Sequence, residues 1–223
     1  MDSALRRRFT IRAILFLLFW FLIVATTQAD TIRLASVGTA ADPNQTNTNG
    51  NTIAIAPFGL WAPALPGSSW VSFALTGKLG PGFHLVKNGT VASFIDVFDL
   101  SGTPKGGTLS VMADDSAAVL LNGSLLAREG SGAGNRYFRC SDFGIGCLKP
   151  TNISLPGSEL HAGLNTLVFE VAQRNGVSYG LDYAGSVNEV VATPELGSVS
   201  LTAFGLVMLA GLVCLRKRGW EPK

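Results

Sequence analysis

Histidine and cysteine are scarce in this chain: two histidines, His84 and His161, and three cysteines occur among 223 residues. A finger- or ribbon-type zinc site needs two close-spaced pairs of Cys or His ligands, and no second pair exists to complete the one formed by Cys140 and Cys147. Charge is sparse too. Asp, Glu, Lys and Arg make up 14% of the residues and the net charge is +2, which excludes a disordered polyelectrolyte and leaves no basic stripe for nucleic acid. No internal repeat occurs, and the stretch between residues 30 and 193 lacks a convincing 3.6-residue apolar period, so amphipathic helices are not expected there.

Apolar residues, by contrast, reach 47%, with the longest runs at the two ends. The net charge is an average over three parts: +3 for residues 1–29, −3 for residues 30–194 and +2 for residues 195–223. Arg6, Arg7 and Arg8 precede the run Ala13 to Ala25, and Thr27 and Ala29 follow as a small-x-small pair. A cationic lead, a short apolar core and small residues at −3 and −1 form a secretory signal peptide, with cleavage expected between Ala29 and Asp30. An uncleaved signal anchor is the alternative. At the other end, Leu196 to Leu215 carries no charge. Twenty residues at about 1.5 Å rise make roughly 30 Å of helix, enough to span a bilayer. Arg216, Lys217 and Arg218 follow at once and are expected to stay cytoplasmic, leaving the body outside the inner membrane.

Pro194-Glu195-Leu196, the apolar span and the cluster Arg216-Lys217-Arg218 together resemble the PEP-CTERM sorting signal of Gram-negative bacteria. Leu196 stands where that signal has a second proline, and Gly219 to Lys223 extends beyond the basic cluster. The resemblance implies an exported protein that an exosortase-like membrane protease cuts near the motif. Such a protein is held in the inner membrane at least transiently, then reaches the cell surface or the extracellular matrix, where the family is associated with exopolysaccharide and biofilm assembly. A permanent tail anchor is the alternative. The expected organisation is a signal peptide over 1–29, an ectodomain over 30–192 and a sorting segment over 193–223, with a transmembrane part at 196–215 and a basic tail at 216–223.

Within the body, Gly, Pro and Asn punctuate strand-sized segments: Thr31 to Val37, Trp70 to Leu75, Val91 to Leu100, Thr108 to Ala113, Ala117 to Leu121, Leu164 to Ala172 and Tyr179 to Val187. Leu167, Phe169 and Val171 alternate with Val168, Glu170 and Ala172, and Asn122-Gly123 marks a type I′ hairpin turn. Residues 40–51, almost wholly polar, are expected as a loop. Many short strands with turn chemistry between them predict an all-β sandwich or barrel. Trp70, Ala113-Asp114-Asp115-Ser116, Val119 to Gly123, Leu164 to Val171 and Gly180 to Tyr183 are similar in order to galactose-binding-like jelly rolls, which implies a jelly-roll-like β-sandwich. Cys140 and Cys147 are expected to pair in an oxidising compartment, a closure of about eight residues contributing roughly 2 to 3 kcal/mol. A metal half-site is the other reading. Cys214 falls inside the apolar span.

Site chemistry is thin. Gly176-Val177-Ser178-Tyr179-Gly180 matches the G-x-S-x-G elbow of α/β-hydrolases, but a strand-like segment follows Ser178 and both histidines precede it. The hydrolase order of nucleophile before histidine is therefore impossible. Gly130 to Gly134 has no Lys-Ser or Lys-Thr and no following helix, so it reads as a loop. Asp114 and Asp115, between two strands, are candidate donors to Ca²⁺, although adjacent carboxylates on an extended chain point to opposite sides. Trp61, in a Pro- and Gly-rich segment, is a candidate platform for a sugar ring, and Trp70 is expected in the core. The sequons at Asn44, Asn88, Asn122 and Asn152 would matter in a eukaryotic secretory pathway and are coincidental if the resemblance to the PEP-CTERM signal holds. These features together predict a non-enzymatic surface protein with a structural or binding role, a carbohydrate-binding module being the sharper alternative. No cofactor beyond a candidate Ca²⁺ is expected, and the expected partners are the exosortase-like protease, the inner membrane and an extracellular polysaccharide.

Overall fold

The computed structural model describes residues 26–130, 140, 144–174 and 176–193, together with Gly205, Leu206 and Leu209, which are helical. The chain groups into two compact units, Ala29–Val191 and the two ends Met1–Gln28 with Ala192–Lys223. In the second of these the description covers the ends of two strands and the three helical residues. Among the described residues no helix is long and apolar enough to cross a membrane. The apolar run at 13–25, the motif at 194–196 and the basic cluster at 216–218 lie outside the described residues, as does the span at 196–215 apart from its three helical positions.

The unit Ala29–Val191 is built from two sheets. One has the order β10 (Thr151–Leu155), β7 (Thr103–Asp114), β12 (Gly180–Thr193), β5 (Val71–Ser72) and β4 (Ile53–Ala54), with β1 (Thr26–Ala35) also paired to β12. The other runs β3 (Gly50–Asn51), β2 (Gln45–Asn47), β6 (Val91–Leu100), β11 (Gly163–Ala172), β8 (Ser116–Leu121) and β9 (Ser124–Ala127). The expected position of signal cleavage, between Ala29 and Asp30, falls inside β1. In β6 and β11 every second side chain is buried, as a strand with one face on a core requires. Asn122 and Gly123 join β8 to β9 with φ of 51° and 85°, the positive pair a type I′ turn demands.

Inward residues of both sheets form one core. Phe94, Val119, Leu167 and Phe169 come from one sheet, and Leu109, Val111, Leu181 and Tyr183 from the other. The rings of Phe169 and Tyr183 stack across the gap, with centroids 4.4 Å apart and planes 24° from parallel. The unit Ala29–Val191 is an all-β sandwich. A second, smaller cluster lies on the opposite face of the first sheet: Met112, which alternates with Val111 and Ala113, packs with Trp61, Trp70, Ile55, Cys140 and Cys147. The end of β7 is therefore covered on both faces, and Met112, Ala113 and Asp114 are all buried. Residues 40–51 depart from expectation. Instead of a loop alone they supply β2 and the start of the β2–β3 pairing, because Gln45 and Asn47 turn inward and satisfy themselves on backbone: Gln45 Nε2 donates to Ala35 O (2.6 Å) and Asn47 Nδ2 to Asn51 O (2.7 Å).

Candidate functional site

Where β7 ends and β8 begins, a cavity of about 220 Å³ opens between the segment carrying Phe58 and Leu60 and the turn from β11 to β12. Asp114, Asp115, Gln173 and Ser178 line it together with Phe58, Leu60 and Val177. All four polar residues are buried, whereas Leu60 is 62% exposed at the rim. The site is a polar floor under an apolar lip.

Each floor residue is held in place. Trp61 Nε1 donates to Asp114 Oδ2 (2.7 Å), and the Arg174 N–H donates to Asp115 Oδ2 (2.6 Å). Gln173 Nε2 donates to Ser178 O (2.7 Å), so the turn that carries Ser178 is tied back to its own start. Ser178 Oγ donates to Gly77 O at 3.0 Å and is only 4% exposed, and a turn precedes it while β12 follows. That is not the strand-turn-helix setting of a nucleophile elbow; the glycine of the motif is a turn residue, Gly176 having φ of 78°. Beside the floor, the Arg174 guanidinium pairs with Glu129.

Asp114 and Asp115 are not divided between opposite faces as an extended chain would divide them. Asp114 is the last residue of β7, in register with Gly180, Asp115 is the corner residue before β8, and both line the same cavity. Burial pushes the Asp114 carboxyl well above the usual carboxylate range, and the adjacent Asp115 raises it further by repulsion and by a hydrogen bond, against the opposing bond from Trp61. No basic side chain among the described residues is recorded at Asp114. The carboxylate, amide and hydroxyl oxygens gathered here are hard donors of the kind that Ca²⁺ takes.

The expected disulfide is present: Cys140 and Cys147 are bonded, with Cα atoms 5.4 Å apart. Its loop is a brace for the site. Ala113 N–H donates to Gly146 O (3.2 Å) and Ala62 N–H to Cys147 O (2.9 Å), which fastens the loop to β7 and to the segment bearing Trp61. One Asp114 oxygen and the two sulfurs lie within 4.8 Å of one another, but sulfurs bonded to each other are not thiolate ligands. Trp61 lies behind the floor: it is 7% exposed and its ring centroid is 4.3 Å from that of Trp70. A Cβ on Gly180 would come within 2.9 Å of the Trp61 ring, so only glycine admits this packing. Phe58, Leu60 and Gln173 carried no motif and were not singled out by sequence, Val177 entered only as a variable position of the G-x-S-x-G match, and Phe58 and Leu60 belong to the same Pro-bounded segment as Trp61.

No protein-family model matches the chain, and no curated protein sequence matches it. Among solved structures, the chain is similar to an α-L-rhamnosidase of Streptomyces avermitilis, at 26% identity and a TM-score of 0.42 over 61% of this chain and 12% of that one. It is also similar to a family 35 carbohydrate binding module from Clostridium thermocellum, at 10% identity and a TM-score of 0.38 over 70% of this chain and 97% of the module. A third is a Podospora anserina GH26-CBM35 β-(1,4)-mannanase, at 11% identity and a TM-score of 0.35 over 74% of this chain and 29% of the enzyme.

Proposed function

We propose that the sandwich is a carbohydrate-binding module of galactose-binding-like, jelly-roll type, and that the cavity at the β7–β8 corner is its ligand site. The observation that carries this reading is the pairing of floor and lip in one small opening: oxygen acceptors from Asp114, Asp115, Gln173 and Ser178 lie below Phe58, Leu60 and Val177. A sugar ring presents the matching surface, hydroxyl donors at its edge and apolar C–H faces. At about 220 Å³ the opening is below the roughly 300 to 1,000 Å³ of pockets for drug-sized ligands, so it takes one terminal or protruding residue of a chain, not a long segment. Trp61 serves as the support that orients Asp114, and Phe58 takes the contact role. Ca²⁺ is the cation that the oxygen donors of Asp114 and Asp115 would take here.

In this reading the protein is exported and surface-destined, has no catalytic role, and is sorted through the PEP-CTERM-like segment by an exosortase-like protease. The lectin-like body then ties the protein to an extracellular polysaccharide. A glycan array probed with the purified chain, with Ca²⁺ and then with a chelator, tests the assignment. Retention on a defined set of glycans that falls on chelation is expected. Retention on none of them overturns the assignment.

A further inference from the structure

Residues 43–95 contain no acidic side chain, and their only Lys or Arg are Lys78 and Lys87, in a body whose net charge is −3. Both lysines lie in the long connection between β5 and β6, and both are exposed. The same connection exposes three leucines: Leu75 is 50% exposed, Leu79 52% and Leu85 56%. Isolated exposed leucines are ordinary. Three within eleven residues, flanked by lysines and facing no acid of their own segment, are not.

These leucines are held outward by a loop that is fastened at its base. Val86 is buried in the main core, and its N–H donates to Val177 O (3.3 Å). Thr76 Oγ1 donates to Tyr179 O, Tyr179 N–H donates to Thr76 O (3.0 Å) and Lys78 N–H donates to Ala56 O (2.9 Å). His84 N–H donates to Leu75 O (2.8 Å), which closes the two arms on each other, and Phe83 N–H donates to Gly80 O (3.0 Å) at the tip. Phe73 packs its ring inward against Tyr179, at 5.4 Å between centroids. The loop thus buries Phe73, Thr76 and Val86 in part or whole, and leaves the leucines and lysines in solvent.

We propose that residues 73–90 form a contact loop for an anionic lipid surface, in which Leu75, Leu79 and Leu85 enter the headgroup boundary while Lys78 and Lys87 pair with lipid phosphates. Apolar side chains flanked by basic ones are what such an interface holds, and the attraction is electrostatic in part and therefore sensitive to salt. The tip, Gly80-Pro81-Gly82, bears only the proline ring as a side chain and carries no charge of its own. Because Ser178 Oγ reaches Gly77 O and Val177 O reaches Val86 N–H, the loop shares a wall with the cavity, and lipid contact would fix how that cavity is presented.

Hydrogen exchange of the full chain in lipid nanodiscs tests this, with phosphatidylcholine alone compared with phosphatidylcholine and phosphatidylglycerol mixed. The amides of residues 77–85 are expected to exchange roughly tenfold more slowly in the anionic discs, with the difference shrinking at high salt. In the double variant Leu79→Asp, Leu85→Asp the difference is expected to vanish while β11 exchanges as before; both positions are more than half exposed, so the fold tolerates the change. Equal rates in the two discs overturn the proposal, as does a difference that survives the double substitution. Slowing in phosphatidylcholine discs only when polyglutamate is added assigns the loop to an acidic protein partner and overturns it equally.

Discussion

Asp96 offers a way to read the interior of the sandwich through pH. It lies on β6 between the sheets, is 3% exposed, and accepts a hydrogen bond from Tyr183 Oη (2.8 Å). Burial pushes its carboxyl from the ordinary 3.8 up to about 6, with the Tyr183 bond opposing the rise and Asp42 adding to it. The sign of the linkage is set by this direction. Below the ordinary value both the folded and the unfolded chain hold the proton; as pH rises the unfolded chain releases it first, so stability conferred at low pH is lost until the folded carboxyl also ionises. At about 1.4 kcal/mol per tenfold, the rise from 3.8 to about 6 corresponds to roughly 3 kcal/mol lost between about pH 4 and pH 6. Asp96→Asn keeps an oxygen for Tyr183 and removes the titration. Urea unfolding of the Ala29–Val191 unit, which contains both apolar clusters, can be followed by the fluorescence of the buried Trp61 and Trp70. Relative to wild type, the variant should gain roughly 3 kcal/mol between about pH 4 and pH 7, whatever constant offset the amide introduces. A difference between the two proteins that does not change with pH, or that changes in the opposite direction, refutes the reasoning.

Two further outcomes follow from the same geometry, and a third from the proposed sorting. Replacing Cys140 and Cys147 by Ser should cost roughly 2 to 3 kcal/mol in urea unfolding and weaken glycan retention, because their loop braces β7 and the Trp61 segment; unchanged retention would show that the brace does not position the cavity. Gly180→Ala drives a methyl into the Trp61 ring, so thermal unfolding should register a loss of about 1 to 3 kcal/mol and Trp61 fluorescence should shift; a neutral effect would contradict the packing. Mass spectrometry of the mature chain should find a C-terminus near Glu195, and an intact Lys223 would replace sorting by a permanent anchor.

The strands that sequence makes legible are those with one apolar face. Val91–Leu100 is a strand with the predicted bounds, and the alternation of Leu167, Phe169 and Val171 points into the core as its period requires. The strands that escape it are short or polar. In β2 the inward residues are Gln45 and Asn47, whose burial is stabilised by side-chain bonds to backbone and so leaves no apolar period to read. β9 and β10 have five residues or fewer, too few for a periodic signal. The candidate site was half visible. Asp114 and Asp115 stood out as an acidic pair between strands, and Ser178 through a motif whose hydrolase meaning the fold excludes. Gln173, Phe58 and Leu60 join them only because the turn after β11 and the segment before β5 converge on the β7–β8 corner, a long-range event that no local pattern encodes.

The central claim is that the cavity at this corner holds a sugar. Its most direct test is the affinity of Phe58→Ala and Asp115→Asn for the glycan best retained by the wild-type chain. Each variant should bind at least roughly tenfold more weakly, about 1.4 kcal/mol, with urea stability changed by less than that. Affinity equal to wild type in both would place the glycan elsewhere on the surface and contradict the account.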